Sequence, residues 1–414
     1  MANNAGSDLP HNLIGFVNDP VSEQIVLNVI KEMNIAFAEA RIGGVNDIIE
    51  FLKNNRTPKI LIADISDSEL PIGDISRIIE CGAPNLNIIT VGSRNDVGIF
   101  RDLMNMGISD YLVKPLNNAI LRKAIDDTNA GAKKEFSEKT GKLIQVISSV
   151  GGAGSTTVST NIAWILANHH FKRTVIMDLD FLFGTINLML DIKAENSYLD
   201  ILESPDKIDD YFVETILKKH SQRLYYLGGL ADLVRGNVVE LDAFEALMVL
   251  VKKQFNYVLV DSQRDIGGIN KVSMNNADSF IIVVEMSLAS AQNTIRLLEY
   301  LNTEQTGKKI LIVANKIGLS SGGALTKEAF EKVIDRKINY VMPFDDSTTL
   351  AAANIGQPLS SSNSPITDSL GDITEDLLGK KETRDIAKAL MEKEGITFDV
   401  VKNKAFELVG KFIK

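Results

Sequence analysis

Short apolar runs rich in β-branched residues alternate with amphipathic helical stretches along most of the chain. This alternation predicts βαβ units with parallel sheets. The first series of apolar runs predicts five strands, at 13–17, 35–38, 59–63, 87–91 and 110–113. A second series predicts six strands, at 143–147, 174–177, 257–260, 280–284, 309–313 and 338–342. The chain is therefore predicted to be an α/β protein with a five-stranded parallel sheet and a larger, doubly wound sheet.

A small and charged stretch, DDTNAGAKKEFSEKTG at 126–141, separates the two series and carries no sustained apolar stripe. It predicts a linker over 129–141. The 414 residues then divide into a first domain over 1–128, a larger domain over 142–371 and a helical extension over 372–414. At roughly 150 residues per domain, this division fits the length of the chain.

Charge and composition indicate where the protein is located and which classes of partner it is expected not to bind. The 54 acidic and 44 basic side chains give a net charge of −10, which opposes non-specific attraction to nucleic acid or anionic lipid. The single cysteine, Cys81, excludes an intrachain disulfide framework and a cysteine-based zinc cluster. The amino terminus lacks the apolar core of a signal peptide, and no run approaches the roughly 20 apolar residues that span a bilayer. We therefore expect a cytoplasmic protein without a specific nucleic-acid partner.

A glycine-rich turn, SSVGGAGSTT, follows the first strand of the second series and leads into an amphipathic helix. Such a turn lets successive backbone N–H groups surround phosphate oxygens, while a hydroxyl binds Mg²⁺. The residues that can supply these groups are Gly151, Gly152, Gly154 and Thr156. The usual phosphate-loop pattern has glycine where Ser149 stands and lysine where Ser155 stands. By itself, the loop also fits a plain strand-to-helix turn, whereas a dinucleotide site would require a G-x-G-x-x-G spacing that is absent.

Carboxylates follow two further strands of the second series. The run at 174–177 is followed by Asp178 and Asp180, and the run at 257–260 is followed by Asp261. Beside a phosphate loop, carboxylates at the carboxyl ends of parallel strands hold Mg²⁺ and the attacking water. Each aspartate alone would be read as a helix cap or a turn residue. Their order beside one loop favours a nucleotide site.

The motifs in the second series resemble those of the ParA/MinD ATPases. VGGAGSTT is similar to their deviant Walker A sequence, and VIMDLDFLFGTINLML is similar to their second motif. More narrowly, the chain resembles the CpaE/TadZ proteins of tight-adherence (Tad) pilus assembly. In those proteins DLDxxFG follows the second strand, a small residue can replace the Walker lysine, and an arginine follows the Walker B aspartate, as Arg264 does here. AAANIGQPL at 351–359 resembles their C-terminal motif. The resemblance implies a P-loop NTPase fold, the ligands ATP and Mg²⁺, and a homodimer.

The resemblance also implies roles for the polar residues. Thr156 would bind Mg²⁺, Asp261 would hold the metal through water, and Asp178 would support that shell. Thr157 would contact the α-phosphate, and Asp180 would position the hydrolytic water as the catalytic residue.

Nucleotide contacts are implied for the loop and for a second segment. The implied contacts are Gly151, Gly152, Ala153, Gly154, Ser155, Thr156, Thr157, Asn315, Pro343, Phe344 and Arg264. Asn315 would recognise adenine, and Pro343 and Phe344 would pack against the base, although Phe344 equally fits ordinary core packing.

Two lysines of the family pattern are missing from the loop. Ser155 stands where the lysine that reaches the phosphates would be, and Val150 stands where a lysine would cross to the partner's nucleotide. Charge neutralisation accelerates phosphoryl transfer, so we expect hydrolysis to be slowed on the order of 10³-fold or more. Arg264 is the candidate for a replacement cation.

The first series resembles the receiver domains of response regulators, which have a flavodoxin-like fold. Asp64 falls at the phospho-acceptor, Lys114 at the signature lysine, and Asn18 with Asp19 at the acidic pair that binds Mg²⁺. One member of that pair is neutral, and Gly92 replaces the switch hydroxyl. The resemblance therefore implies a docking surface that is poorly phosphorylated, with Asp19, Asp64 and Lys114 forming a pseudo-active site.

Together, these resemblances imply a cytoplasmic ATP-binding homodimer, at the cell pole or the inner face of the membrane, that localises or organises the Tad pilus machinery. Its receiver-like domain would bind Tad components or polar-localisation proteins. The alternatives are a response-regulator-type signalling ATPase and a ParA-like partition protein for another cargo. The tail TFDVVKNKAFELVGKFIK has an apolar helical face with lysines around it, which fits either packing on the ATPase domain or peripheral membrane association.

Overall fold

The computed structural model describes residues 11–130, 140–193, 208–229, 239–319 and 324–380. Within these residues the chain forms one sheet of five strands and one of eight. Most of the predicted linker and of the predicted C-terminal extension, including the amphipathic tail, lies outside the described residues. Below, residues 11–130 are called the five-stranded unit and residues 140–380 the eight-stranded unit.

The five-stranded unit alternates strands and helices from end to end. Its elements are β1 Leu13–Val17, α1 Pro20–Glu32, β2 Ala38–Ile42, α2 Val45–Asn54, β3 Ile60–Asp64, α3 Pro71–Cys81, β4 Asn87–Gly92, α4 Val97–Asn105, β5 Asp110–Val113 and α5 Asn118–Asn129. All pairings are parallel, in the order β2-β1-β3-β4-β5. This is the strand order of flavodoxin-like folds, so the predicted fold class of this unit is confirmed.

Burial explains why most strands of this unit were predictable. Every residue of β1 and β3 is buried, because α1 and α5 cover one face of the sheet and α2, α3 and α4 cover the other. The predicted start of β2, at residue 35 of the run 35–38, was wrong, because the strand begins three residues later. Asn34 and Phe37 have φ angles of 50° and 53°, so the chain turns there, and the strand begins only at Ala38.

The eight-stranded unit is larger and carries helices on both faces. Its elements are β6 Lys142–Ser148, α6 Ser155–Asn168, β7 Thr174–Asp178, α7 Ile186–Met189, α8 Asp210–Ile216, β8 Lys218–Lys219, β9 Leu224–Leu227, α9 Leu241–Gln254, β10 Tyr257–Ser262, α10 Gly268–Asn276, β11 Ser279–Val284, α11 Leu288–Glu304, β12 Lys309–Ile317, α12 Lys327–Ile334, β13 Tyr340–Pro343, α13 Asp346–Ile355 and α14 Pro365–Leu377. The strand order is β13-β12-β11-β6-β10-β7-β9-β8, and all pairings are parallel except β8 with β9.

All six strands predicted for the second sheet are present, and two more were missed. β8 consists of two lysines and gives no apolar signal, and β9 has only four residues. Both lie at the edge of the sheet beyond β7. The helix α14 packs through Ile366, Leu370 and Ile373 on the same core as α6. It therefore closes one face of the sheet and runs through the predicted boundary at 372.

The two units meet where helices of the five-stranded unit end. The last carbonyl groups of a helix have no partner within it and carry a partial negative charge. At the end of α3, Lys172 Nζ donates to Glu80 O at 2.8 Å, and Asn256 Nδ2 donates to Gly82 O at 2.8 Å. These donors precede β7 and β10, so the contact lies at the amino-terminal edge of the larger sheet.

Arg223, just before β9, is the centre of this contact and is only 6% exposed. Its guanidinium donates to Leu52 O and Lys53 O at the end of α2, the latter at 3.4 Å. It also donates to Cys81 O at 3.2 Å and to Phe171 O at 2.7 Å. One buried side chain thus satisfies carbonyls from two helices of one unit and from a loop of the other.

We expect Arg223→Met to lower the free energy of unfolding by about 2–4 kcal/mol, because one buried and three part-buried carbonyl groups lose a charged donor. Urea unfolding measures this change. The matched control is Arg77→Met, since Arg77 is more than half exposed and pairs only with groups at the surface. Equal stability of the two variants would contradict a role for Arg223 in joining the units.

Candidate functional site

The glycine-rich loop lies between β6 and α6, at the carboxyl-terminal edge of the larger sheet. Gly152 and Gly154 have φ angles of 77° and 102°, which side-chain-bearing residues rarely adopt. Gly154 is the N-cap of α6, and no side chain caps this helix. The first N–H groups of α6 are therefore available to an anion, as the sequence predicts for a phosphate loop.

Thr156 and Asp261 come together at this loop. Thr156 Oγ1 donates to Asp261 Oδ2 at 2.6 Å, although the residues are 105 positions apart. The Ser155 hydroxyl also acts to lower the pKa of the Asp261 carboxyl. Burial raises the pKa of Asp261 to about 6, even though these hydroxyl groups stabilise the carboxylate. Ser155, at the position of the Walker lysine, thus helps to stabilise the carboxylate of Asp261 on β10.

Asp178 lies beside Asp261, because β7 and β10 are parallel and these two residues are register partners. Asp178 Oδ1 accepts from Asp180 N–H at 3.0 Å, and Oδ2 accepts from Ile186 N–H at 3.3 Å. Burial, followed by repulsion from Asp261, raises the pKa of Asp178 to about 7 despite these two donors. Two buried carboxylates therefore share one edge of the sheet.

The arrangement fits a magnesium ion. Asp261 Oδ1 is buried without a hydrogen-bond partner, and Asp178 and Asp261 repel each other when both are ionised. Within the described ranges, no cluster of three or more His, Cys, Asp or Glu is arranged to bind a metal. The oxygens that could hold an ion here are those of Asp178 and Asp261 and the hydroxyl of Thr156. Oxygen ligands of this kind, completed by phosphate and water, are what Mg²⁺ prefers.

Asp180 lies at the rim of this group and is partly buried. Its Oδ1 accepts from Gln263 Nε2 at 2.7 Å and from Phe183 N–H at 3.0 Å. Gln263 was not predicted as a site residue; its position two residues after Asp261 was the available signal. The carboxylate of Asp180 is thus held between the segments that follow β7 and β10.

The predicted adenine-side residues lie at the other side of the loop. Asn315 Nδ2 donates to Ala153 O at 2.7 Å, and Asn315 Oδ1 accepts from Lys316 N–H at 2.8 Å. Pro343 ends β13, and Phe344 N–H donates to Ile317 O at 2.8 Å. Phe344 is 38% exposed, so its ring is a surface feature beside β12 and not part of the core.

Of the remaining predicted residues, Arg264 is exposed and its Nη2 lies near Gly151, 3.5 Å from where a Cβ on that glycine would be. Val150 is partly buried against the core around α6. Thr157 is partly buried in the first turn of α6.

A cation that the sequence analysis did not predict at this site is Lys316, whose Nζ donates to Gly152 O at 2.6 Å. Its position directly after Asn315 was the only sequence signal.

A second polar cluster lies at the carboxyl-terminal edge of the smaller sheet. Lys114 Nζ is 2.6 Å from Asp64 Oδ2 and 2.7 Å from Asp19 Oδ2. Burial opposes the charge on Lys114, but the two carboxylates raise its pKa above the usual value, and Lys114 lowers the pKa of Asp19. Asn18 N–H and the Ser66 hydroxyl donate to Asp64 at 3.0 and 2.6 Å. The predicted trio is therefore assembled, with both oxygens of Asp64 engaged.

The side chain of Tyr111 occupies the space beside Gly92. A Cβ on Gly92 would overlap the phenol ring of Tyr111. The hydroxyl of Tyr111 donates to Arg94 O at 2.7 Å, which fixes the loop after β4. Gly92 lacks the switch hydroxyl, as predicted, and the ring of Tyr111 fills the space that a side chain at this position would occupy. Tyr111 was not predicted as part of this cluster.

Residues 141–313 match the family model described as "AAA domain". The septum site-determining protein MinD of Bacillus subtilis is 24% identical over 227 residues, which cover 53% of this chain and 82% of that protein. An uncharacterised ATP-binding protein of Methanocaldococcus jannaschii is 23% identical over 249 residues, which cover 59% of this chain and 90% of that protein. These similarities support an ATP-binding protein of the ParA/MinD type.

Solved structures agree in fold. A ParA family ATPase from Chlorobium tepidum has a TM-score of 0.52 at 21% identity and covers 57% of this chain and 98% of its own. The cell division ATPase MinD of Pyrococcus furiosus has a TM-score of 0.50 at 20% identity and covers 58% of this chain and 99% of its own. The eight-stranded unit therefore has the predicted ParA/MinD-type P-loop fold.

The raised pKa values predict how the nucleotide-free protein responds to pH. In the unfolded chain Asp178 ionises near pH 4, whereas in the fold it keeps its proton up to about pH 7. Stability from this group is complete below pH 4 and is lost as the pH rises through 7, because the buried group must then ionise. Asp178→Asn cannot ionise, so its loss of stability between pH 5.5 and 8 should be smaller, by roughly 1–3 kcal/mol.

Urea unfolding at the two pH values, without nucleotide or Mg²⁺, measures this difference. Asp126→Asn is the matched control, since Asp126 is exposed on α5 and pairs only with Arg122. The interpretation of Asp178 is wrong if both variants lose as much stability as the wild type.

Proposed function

We propose that this ParA/MinD-type, ATP-binding chain is a CpaE/TadZ-like protein that closes as a homodimer over Mg-ATP and localises or organises the Tad pilus machinery. The hydrogen bond between Thr156 and Asp261, at the uncapped end of α6, is the observation that carries nucleotide binding. It joins a phosphate loop to a buried carboxylate whose second oxygen lacks a partner. Backbone N–H groups would hold the phosphates, and Thr156, Asp178 and Asp261 would hold Mg²⁺, directly or through water.

The same geometry supports slow hydrolysis. Bound Mg²⁺ would neutralise charge on the phosphates, and Asp180, oriented by Gln263, would position the attacking water. Ser155 and Val150 leave the loop without the two lysines of the family pattern. Arg264 lies beside Gly151 of the loop. Fewer cations around the γ-phosphate imply weaker stabilisation of the transition state.

Exposed apolar side chains support dimerisation through the edge that carries the phosphate loop. Large apolar residues, each at least 38% exposed, follow five parallel strands at this edge. They are Leu182 and Phe183 after β7, Ile266 after β10, Leu288 after β11, Leu319 after β12 and Phe344 after β13. Such surfaces mark protein contacts, and a second copy would cover them while enclosing the nucleotides.

The five-stranded unit would act as a receiver-like docking module for Tad components or polar-localisation proteins. Its acceptor carboxylate, Asp64, is already bonded to Lys114, Ser66 and Asn18, and Asn18 halves the acidic pair that would bind Mg²⁺. Attack on a phosphoryl donor needs that metal. Docking without phosphorylation is the function that fits these contacts.

We propose a cytoplasmic location, at the cell pole or at the inner face of the membrane. In the part of the chain that the structure describes, no helix is both long and apolar enough to cross a bilayer. The amphipathic tail proposed for peripheral membrane contact lies outside the described residues.

We expect Mg-ATP to bind wild-type protein and to shift it from monomer to dimer. Thr156→Ala should weaken binding about tenfold or more, whereas Asp180→Ala should bind normally and lose residual phosphate release. Calorimetry, sedimentation velocity and phosphate release measure these effects. Nucleotide at about 100-fold its Kd stabilises a protein by ~2.7 kcal/mol, so absence of both heat and a melting shift at millimolar Mg-ATP would remove the proposal.

In the native host, deletion of the gene should remove Tad pili from the cell surface. Complementation should fail with Thr156→Ala, because the proposed dimer closes over Mg-ATP, and succeed with Asp64→Ala, because docking is proposed to need no phosphorylation. Electron microscopy counts the pili. Normal piliation of the deletion strain would exclude the Tad role, and failure of Asp64→Ala despite normal protein levels would contradict docking without phosphorylation.

A further inference from the structure

Two consecutive side chains at the end of β12 hold two consecutive carbonyl groups of the phosphate loop. Asn315 Nδ2 donates to Ala153 O at 2.7 Å, and Lys316 Nζ donates to Gly152 O at 2.6 Å. The partners are 162 and 164 positions apart in the chain. The loop is thus fixed from outside by the strand that also carries the proposed adenine side of the site.

Fixing a carbonyl also fixes the following N–H, because a trans peptide unit is planar and its C=O and N–H point in opposite directions. With Gly152 O and Ala153 O directed toward β12, the N–H groups of Ala153 and Gly154 point to the opposite side of the loop, where Ala153 N–H donates to Val150 O at 3.3 Å in the nucleotide-free chain. N–H groups arranged in this way form the cradle that receives phosphate oxygens. Asn315 and Lys316 therefore set the orientation of groups that they do not touch.

The backbone of β12 is distorted beside these contacts. Lys316 has a φ angle of 57°, and the pairing of β12 with β13 shifts register between Ala314 and Ile317. A lysine in the left-handed region is unfavourable and persists only where its surroundings hold it. Here Lys316 N–H donates to Asn315 Oδ1, and Lys316 Nζ pairs with Glu285 Oε1 at 2.9 Å. Such strain is concentrated at functional sites.

The loop is also shaped to accept the contact. A Cβ on Gly154 would overlap the side-chain amide of Asn315. Only glycine therefore allows the amide to reach Ala153 O. The charge of Lys316 is balanced by Glu285, which argues for an effect through position and not through added positive charge.

We propose that Asn315 and Lys316 form a clamp that holds the phosphate loop in its nucleotide-binding shape. The clamp compensates, through fixed N–H groups, for the lysines that are absent at positions 150 and 155. This inference rests on the proposed nucleotide binding and assigns Asn315 and Lys316 as positioning residues for the same site. A clamp acts before nucleotide arrives, so it has a signature in the free protein.

The test compares Lys316→Met with wild type in two measurements. Hydrogen exchange of the nucleotide-free protein, followed over a peptide covering 149–156, should be faster in the variant. Calorimetry should show Mg-ATP binding about tenfold weaker, with the melting temperature of the free protein unchanged. Lys337→Met is the matched control, because Lys337 is 87% exposed and its ion pair, with Glu331 on α12, involves no residue of the phosphate loop. It should match wild type in both measurements.

Lys316→Gly separates the clamp from general stability. Glycine adopts a positive φ without strain, so the free protein should melt at or near the wild-type temperature. Mg-ATP should nevertheless bind as weakly as to Lys316→Met. Wild-type affinity and wild-type exchange in both variants would overturn the clamp.

The two proposals fail in different ways. If wild-type protein does not bind Mg-ATP, the proposed function is wrong. The clamp is then tested by hydrogen exchange of the phosphate loop in the nucleotide-free protein. Faster exchange over 149–156 in Lys316→Met then supports it, and unchanged exchange overturns it. If wild-type protein binds Mg-ATP and both variants bind equally well, the clamp is wrong and the proposed function stands.

Discussion

The parallel register of β6, β10 and β7 is the constraint on which the candidate site depends. Because Asp261 is paired with Asp178 and with Val146, the two carboxylates reach the edge of the sheet together, beside the loop that follows β6. A slip of one residue would turn Asp261 toward the opposite face of the sheet. The apolar runs of these strands, buried on both faces, fix that register. The burial of apolar side chains thus holds Asp178 and Asp261 next to each other, although their carboxylates repel each other when both are ionised.

Much of the fold could be predicted because strands buried on both faces have continuous apolar sequences. The strands at 13–17 and 110–113 match the structure, while β2 starts three residues late because Asn34 and Phe37 take left-handed conformations that the pattern does not reveal. β8 and β9 carry too few residues to give a signal. The meeting of Thr156 with Asp261 was predictable, since motif order and parallel topology bring strand ends together.

The contacts of Lys316 and Arg223 could not be predicted. Each depends on a donor reaching carbonyl groups far away in sequence, and a backbone carbonyl is the same in every residue, so it leaves no mark in the sequence. Lys316 further depends on a local shift in β12, and Arg223 depends on where two helices of the other unit end. Side chains that bind backbone groups are therefore the part of a site that motifs describe least well.

The contact between the two units lies at the amino-terminal edge of the larger sheet and at the carboxyl ends of α2 and α3. In βα units those helix ends also lie at the amino-terminal edge of their own sheet, so the Asp64 edge and the phosphate-loop edge face away from each other. A dimer closed across the phosphate loops would then carry one Asp64 edge at each outer end. With the proposed docking role of the five-stranded unit, such a particle would be bivalent, and nucleotide would control its valency. Against an array of identical partners, two weak contacts per particle can give avidity about 10²–10⁴-fold above that of one contact.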